Sequence, residues 1–166
     1  MYVGFFMKRR EISSHMKVIT PLAVISVLVK DQDEALAFYT EKLGLEKRTD
    51  IIYAPGLRWL TVAPKGQRKP ELALARPSVS WHSEEYIREV MERIRQGPLW
   101  VFDTEDCRKS YEELLTRGVK FISTPTKQLY GVEALFEDLD GNTFSLLEPF
   151  PGAHSMFLNR WAGTAA

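Results

Sequence analysis

The side chains that could do chemistry are few and unevenly placed. Tyr130, Glu133, Glu137 and Glu148 put one phenol and three carboxylates close together in the later part of the chain, the mix that general acid–base work needs. Asp138 and Asp140 stand in Asp138-Leu139-Asp140-Gly141-Asn142, which reads as a tight turn. The three histidines, His15, His82 and His154, are scattered and read as surface residues. A transition-metal ligand set instead needs several N, O or S donors at one point. Cys107 is the single cysteine, so no intrachain disulfide forms and a reducing cytoplasm is expected. With no histidine near it in sequence, Cys107 reads as a small core residue and not as a nucleophile. No Ser–His–Asp set, phosphate loop or CxxC pair is present, and no catalytic residue is assigned.

The elements that must position these groups come from an internal repeat. Val24, Ile25, Val27, Leu28 and Val29 form a short β-branched-rich strand. Asp31, three residues before Glu34, is suited to cap a helix carrying Leu36, Tyr39 and Leu43, with Phe38 on its flank. Gly44 supplies the left-handed stop. The same grammar returns from Leu99 to Phe121, Val29 falling on Phe102, Asp33 on Asp106 and Phe38 on Tyr111. There Asp103 or Thr104 is the expected cap, Cys107, Tyr111, Leu114 and Leu115 the apolar stripe, and Gly118 the stop. The ends echo as well, Leu72-Ala73-Leu74-Ala75-Arg76-Pro77 against Phe144-Ser145-Leu146-Leu147-Glu148-Pro149. Each half reads as strand, helix, then three strands.

Composition bounds the rest. The chain has 166 residues, 45% of them hydrophobic, and Lys+Arg equals Asp+Glu at 22 each. It can bury a core, and it has no electrostatic case for nucleic acid or anionic membrane. No stretch approaches a transmembrane helix. Residues 1–18 are expected to be an N-terminal extension outside the fold, with Ser13-Ser14-His15-Met16 resembling an engineered junction. Residues 19–149 form one domain of two modules, 19–77 and 97–149, with an inserted helix at 83–96 carrying Tyr86, Ile87, Val90, Met91 and Ile94 on one face. Residues 150–166 are a tail whose Phe157 and Trp161 call for cover.

Three segments, VLVKDQDEALAFYTEKLGLE, FDTEDCRKSYEELLTRGVKF and YGVEALFEDLDGNTFSLLEP, with Arg58-Trp59-Leu60-Thr61-Val62, resemble in this order the vicinal oxygen chelate superfamily of glyoxalase I, bleomycin-resistance proteins and extradiol dioxygenases. The resemblance implies an α+β fold of two paired βαβββ modules forming a shared curved mixed sheet around a central cavity. It also implies dimerisation, and in many members a divalent metal on the cavity floor. The family's ligand positions fall here on Val24, Ala73, Gly97 and Ser145. None of these is a good donor, so no metal and no other cofactor is expected.

Strand alternation then sorts the faces. Ile25, Val27, Val29, Trp100 and Phe102 should pack under helices; Val24, Ser26, Leu28, Leu99, Val101, Ala73, Ala75, Ser145 and Leu147 should face the cavity. Trp59, Thr61, Tyr130 and Phe136 are placed inward with them, and Glu148 outward. The expected ligand site is therefore Trp59, Thr61, Ala73, Leu99, Tyr130, Phe136 and Ser145, aromatic-walled and weakly polar. Such a pocket suits a homodimeric protein binding a small apolar or aromatic molecule. The alternative is a glyoxalase-like lyase or isomerase, metal-free or with a metal held by residues not recognised here. A third reading is a partner-binding module.

Overall fold

The computed structural model describes residues 22–78 and 82–152. Expectations for the N-terminal extension and for the tail beyond Gly152 lie outside these residues.

Strand β1 (Val24–Leu28) leads through the Asp31 cap into α1 (Gln32–Ala37), which continues as a widened π turn over Phe38–Lys42. The Asp31 carboxylate accepts from the backbone N–H of Asp33 at 2.8 Å and of Glu34 at 3.0 Å, satisfying two orphan donors. The wider turn brings the successive residues Phe38 and Tyr39 both into the core. Gly44, at φ 74°, ends the helix as expected. Strands β2 (Glu46–Ala54), β3 (Leu57–Ala63) and β4 (Glu71–Ala75) complete the first module.

The inserted helix α2 spans Glu84–Glu92, capped by Ser83, and is shorter than the 83–96 expected. Past it, Arg95 takes a positive φ of 76°, which breaks the helical path before Gly97-Pro98. Of its apolar stripe only Ile94, just beyond the helix, is buried.

The second module runs β5 (Trp100–Asp103), α3 (Cys107–Thr116), β6 (Lys120–Phe121), β7 (Thr126–Lys127), β8 (Gly131–Glu137) and β9 (Thr143–Pro149). The cap of α3 is Asp106, not Asp103 or Thr104; its carboxylate accepts from Lys109 N–H at 2.9 Å. A second acceptor comes from afar: Glu148 Oε2 takes the Cys107 N–H at 2.9 Å. Strands β6 and β7 are only two residues long each.

The fold is α+β, with a βαβββ module in each half, the second carrying the two-residue β7 in addition. The first sheet has the order β1-β4-β3-β2; the second has β5-β9-β8-β6, with β7 also on β8. In each module the first and last strands pair in parallel, Ser26 beside Ala73 and Val101 beside Ser145, and the other ladders are antiparallel. No ladder joins the two sheets among the described residues. One core spans both modules. Its centre is an aromatic cluster: Phe136 stacks on Phe144 with centroids 5.4 Å apart and on Phe102 at 6.3 Å, and Tyr39 of the first module meets Phe144 edge-on at 6.2 Å.

Candidate functional site

The sheets have a helix side, which carries the core, and an opposite, open face. Val27 and Val29 are buried on the helix side and Ile25 packs against that core, so Ser26 and Leu28 belong to the open face. In the second module Phe144 and Leu146 face the helix side, which puts Ser145 and Leu147 on the open face. Leu99 and Val101 are 48% and 52% exposed there.

Ladder register decides which candidates meet. Thr61 lies opposite Ala73 on one side and Thr49 on the other, and Trp59 stands two residues along the same face, opposite Ile51. Thr61 and Ala73 are buried small residues at mid-sheet, whereas Trp59 is 41% exposed. The Thr61 hydroxyl is taken up locally, accepting from Thr49 N–H at 3.1 Å where β2 bulges.

In the second module a carboxylate joins two of the candidates. Glu133 Oε1 accepts from Ser145 Oγ at 2.6 Å, and its Oε2 accepts from Tyr130 Oη at 2.8 Å. The bond to Glu133, with some burial, pushes the Tyr130 phenol above its usual range, so Tyr130 keeps its proton and acts as the donor. Glu133 sits opposite Leu147, and Ser145 lies between Leu135 and Val101, so the three polar groups are set among aliphatic side chains. Glu133 was one of four acid–base groups visible in the sequence; its selection over Glu137 and Glu148 needed the register. Glu137 bonds Lys120, and Glu148 serves the α3 terminus, on the helix side as expected.

Phe136 is corrected. It lies opposite Phe144, is 1% exposed, and belongs to the helix-side aromatic core, not to the face of Ser145. The turn after β8 sets Glu137 opposite Thr143, and with no bulge in that ladder every even-numbered residue of β8 is turned to the helices. Tyr130 has the same parity but precedes the strand, and its hydroxyl reaches Glu133.

Two cavities lie at the seam between the modules. One of about 420 Å³ is bounded by Leu43, Leu45 and Lys65 on one side and Leu114, Arg117 and Phe136 on the other. One of about 320 Å³ lies between Ser26 and Leu28 of β1 and Gln96, Pro98 and Trp100. Of the seven candidates only Phe136 touches either.

The family metal does not fit the donors present. Val24, Ala73 and Gly97 have no ligating atom, and Ser145 is bonded to Glu133. Among the described residues no three His, Cys, Asp or Glu side chains converge. His82 stacks on Tyr86, centroids 4.8 Å apart, away from these strands. Cys107 is buried, its thiol pushed up by burial and by Glu148. No helix among the described residues is long and apolar enough to cross a membrane.

This architecture matches known proteins. Residues 21–146 match the Glyoxalase/Bleomycin resistance protein/Dioxygenase superfamily, and the chain belongs to that superfamily. It is 33% identical over 131 residues to the uncharacterized protein YetH of Bacillus subtilis (strain 168), covering 79% of this chain and 100% of YetH. It is similar in structure to UcmS2, with a TM-score of 0.70 and 39% identity over 78% of this chain and 98% of that one. A further likeness is to TnmS3, described as an antibiotic binding protein from Streptomyces sp. CB03234, with a TM-score of 0.63, 31% identity, and 81% and 99% coverage.

Proposed function

We propose that this protein binds a small apolar or aromatic molecule on the open faces of its sheets, without a metal, as a cytoplasmic homodimer. The observation that carries the reading is the make-up of those faces. Small buried residues, Ala73, Thr61 and Ser145, form the floor, and exposed large side chains, Trp59, Ile51, Leu99 and Val101, stand above it. Exposed apolar surface of that kind marks a binding face. The likeness to an antibiotic binding protein at 31% identity supports the binding of a small molecule. A homodimer would cover the exposed aliphatic surface of both modules and enclose the ligand between open faces.

Thermal-shift screening of polycyclic aromatic compounds, with metal analysis of the purified protein, tests the proposal. Stabilisation by such compounds in metal-free protein is expected, since a ligand bound only by the folded state raises its stability. Stoichiometric metal whose removal abolishes ligand binding would overturn it. Light scattering at micromolar concentration tests the dimer, and a monomer would overturn that part.

A second reading rests on the Tyr130–Glu133 contact at 2.8 Å, a phenol beside a carboxylate. A glyoxalase-like lyase or isomerase would use Glu133 as base and Tyr130 as acid. Turnover of a bound ligand, lost in Glu133→Gln, distinguishes it from simple binding.

A further inference from the structure

We propose that Glu133 is the polar anchor of the ligand site and that the ligand it selects is an aromatic molecule bearing a protonated amine. This rests on the open-face reading above and names the ligand class for it.

The carboxylate is held from within the protein on both oxygens, by Ser145 Oγ at 2.6 Å and Tyr130 Oη at 2.8 Å. Each hydroxyl has one hydrogen and spends it on Glu133. Toward a ligand Glu133 therefore offers acceptors only, its remaining lone pairs. Among the described residues the lysines on the strands paired with β8 are committed elsewhere. Lys127, on the strand beside Glu133, places its ammonium over the Phe150 ring, 5.7 Å from the centroid, and Lys120 pairs with Glu137. Among the described residues no ion pair reaches Glu133.

Leu135, Leu147 and Val101 surround this acceptor group, and Leu99 and Val101 are among the exposed aliphatic residues of the same face. An anionic, acceptor-only group in apolar surroundings favours an ammonium donor and disfavours a carboxylate or phosphate, which would place like charges together. The aliphatic surface beside it accommodates the flat ring.

Calorimetric titration with three probes on one ring system tests this: 2-naphthylmethylammonium, 2-naphthylmethanol and 2-naphthoate. Wild-type protein is expected to bind the ammonium at least about tenfold tighter than the carboxylate, the scale of one charge-assisted hydrogen bond. Glu133→Gln should erase that preference and leave the neutral alcohol within about twofold, on the same scale. Equal wild-type affinities for all three probes overturn the anchor while leaving the open-face reading intact. Binding of none of them overturns both. A preference that survives in Glu133→Gln also overturns the anchor. So does a variant that loses its dimer with probe affinities unchanged, because Glu133 would then serve a cation of the second copy. The wild-type comparison decides the charge preference even where a variant fails to fold.

Discussion

Tyr39 Oη donates to Asp138 Oδ2 at 2.8 Å, a buried bond between the helix of the first module and the β8–β9 turn of the second. Around it the turn bonds the first module twice more. Asp140 accepts from Lys30 N–H at 3.0 Å and Asn142 Nδ2 donates to the Leu28 carbonyl at 2.9 Å, while within the turn Asn142 Nδ2 also donates to Asp138 at 2.8 Å. A charged turn thus closes the seam beside the shared aromatic core.

Removing the phenol hydroxyl leaves Asp138 buried with one donor fewer. Tyr39→Phe should lower stability by about 1.5–3 kcal/mol, the scale of one hydrogen bond to a carboxylate, since Asn142 Nδ2 still donates to the same oxygen. Urea unfolding followed by circular dichroism measures it. The same bond has a pH signature. Burial first, and the Asp138 charge second, push the Tyr39 phenol well above its usual value of 10.0. A group raised on folding contributes its stability in full below the unfolded value and loses it as pH rises through the folded one. Wild-type stability should fall above pH 10.0, and Tyr39→Phe should fall less steeply over the same range.

Asp50 sets an opposite, acid limb. Arg58 grips it with Nε at 2.7 Å and Nη2 at 3.0 Å while its Nη1 reaches Asp33 at 2.7 Å. Arg58 first, and then Lys47, hold the Asp50 carboxyl down at about 2 from 3.8. A depressed carboxyl contributes above its unfolded value and loses that contribution as pH falls toward the folded one. The group lies near the surface, so the effect is screened and small, about 0.5 kcal/mol. Asp50→Asn should flatten the stability curve between pH 3.8 and about 2, and its cost, about 0.5 kcal/mol, should be present at pH 7 and gone below about pH 2.

Gly131 opens β8 opposite Pro149, and a Cβ placed there would fall on the backbone oxygen of Glu148. Gly131→Ala must therefore push the two strands apart, at a cost of about 1–3 kcal/mol. Since Tyr130 and Glu133 flank this point, the variant should also loosen their contact. Thermal unfolding reads the first effect, and the phenol's ultraviolet titration, moved back toward 10.0, reads the second.

How far these features were legible depends on how local their causes are. The outward parity of Ser26, Leu99, Val101 and Ser145 was readable because strand alternation needs only neighbouring residues. The Asp31 cap was readable for the same reason. The α3 cap was misplaced because Thr104 and Asp106 are both capping residues, and Glu148, the distant acceptor for Cys107, was not available to local reasoning. Phe136 was placed on the wrong face because its orientation is set by the register with Phe144 across the turn. Asp138 and Asp140 were correctly seen as turn residues, yet their roles at the seam involve partners 99 and 110 residues away. Such pairings leave no periodic trace.

The correction at Phe136 gives the sharpest test of which face is the site. Trp59 is 41% exposed on the open face, and Phe136 is 1% exposed beneath the helices. Trp59→Ala removes the covered part of a large ring and should cost about 1–2 kcal/mol of stability. If an aromatic ligand lies on that face, the variant forfeits a ring contact worth about 0.5–1.5 kcal/mol beyond area burial, or about twofold to tenfold in affinity. Phe136→Ala should do the reverse. It empties the centre of the aromatic core, where Phe102, Phe121 and Phe144 all touch it, and should cost about 3–5 kcal/mol of stability. Its ligand affinity, measured at a temperature where the variant stays folded, should remain within about twofold of wild type, less than the loss of one ring contact. Titration of both variants with one aromatic compound, beside urea unfolding of each, reads the two quantities independently. A stable Trp59→Ala with unchanged affinity, paired with a folded Phe136→Ala that no longer binds, would move the site from the open face to the cavity at the seam.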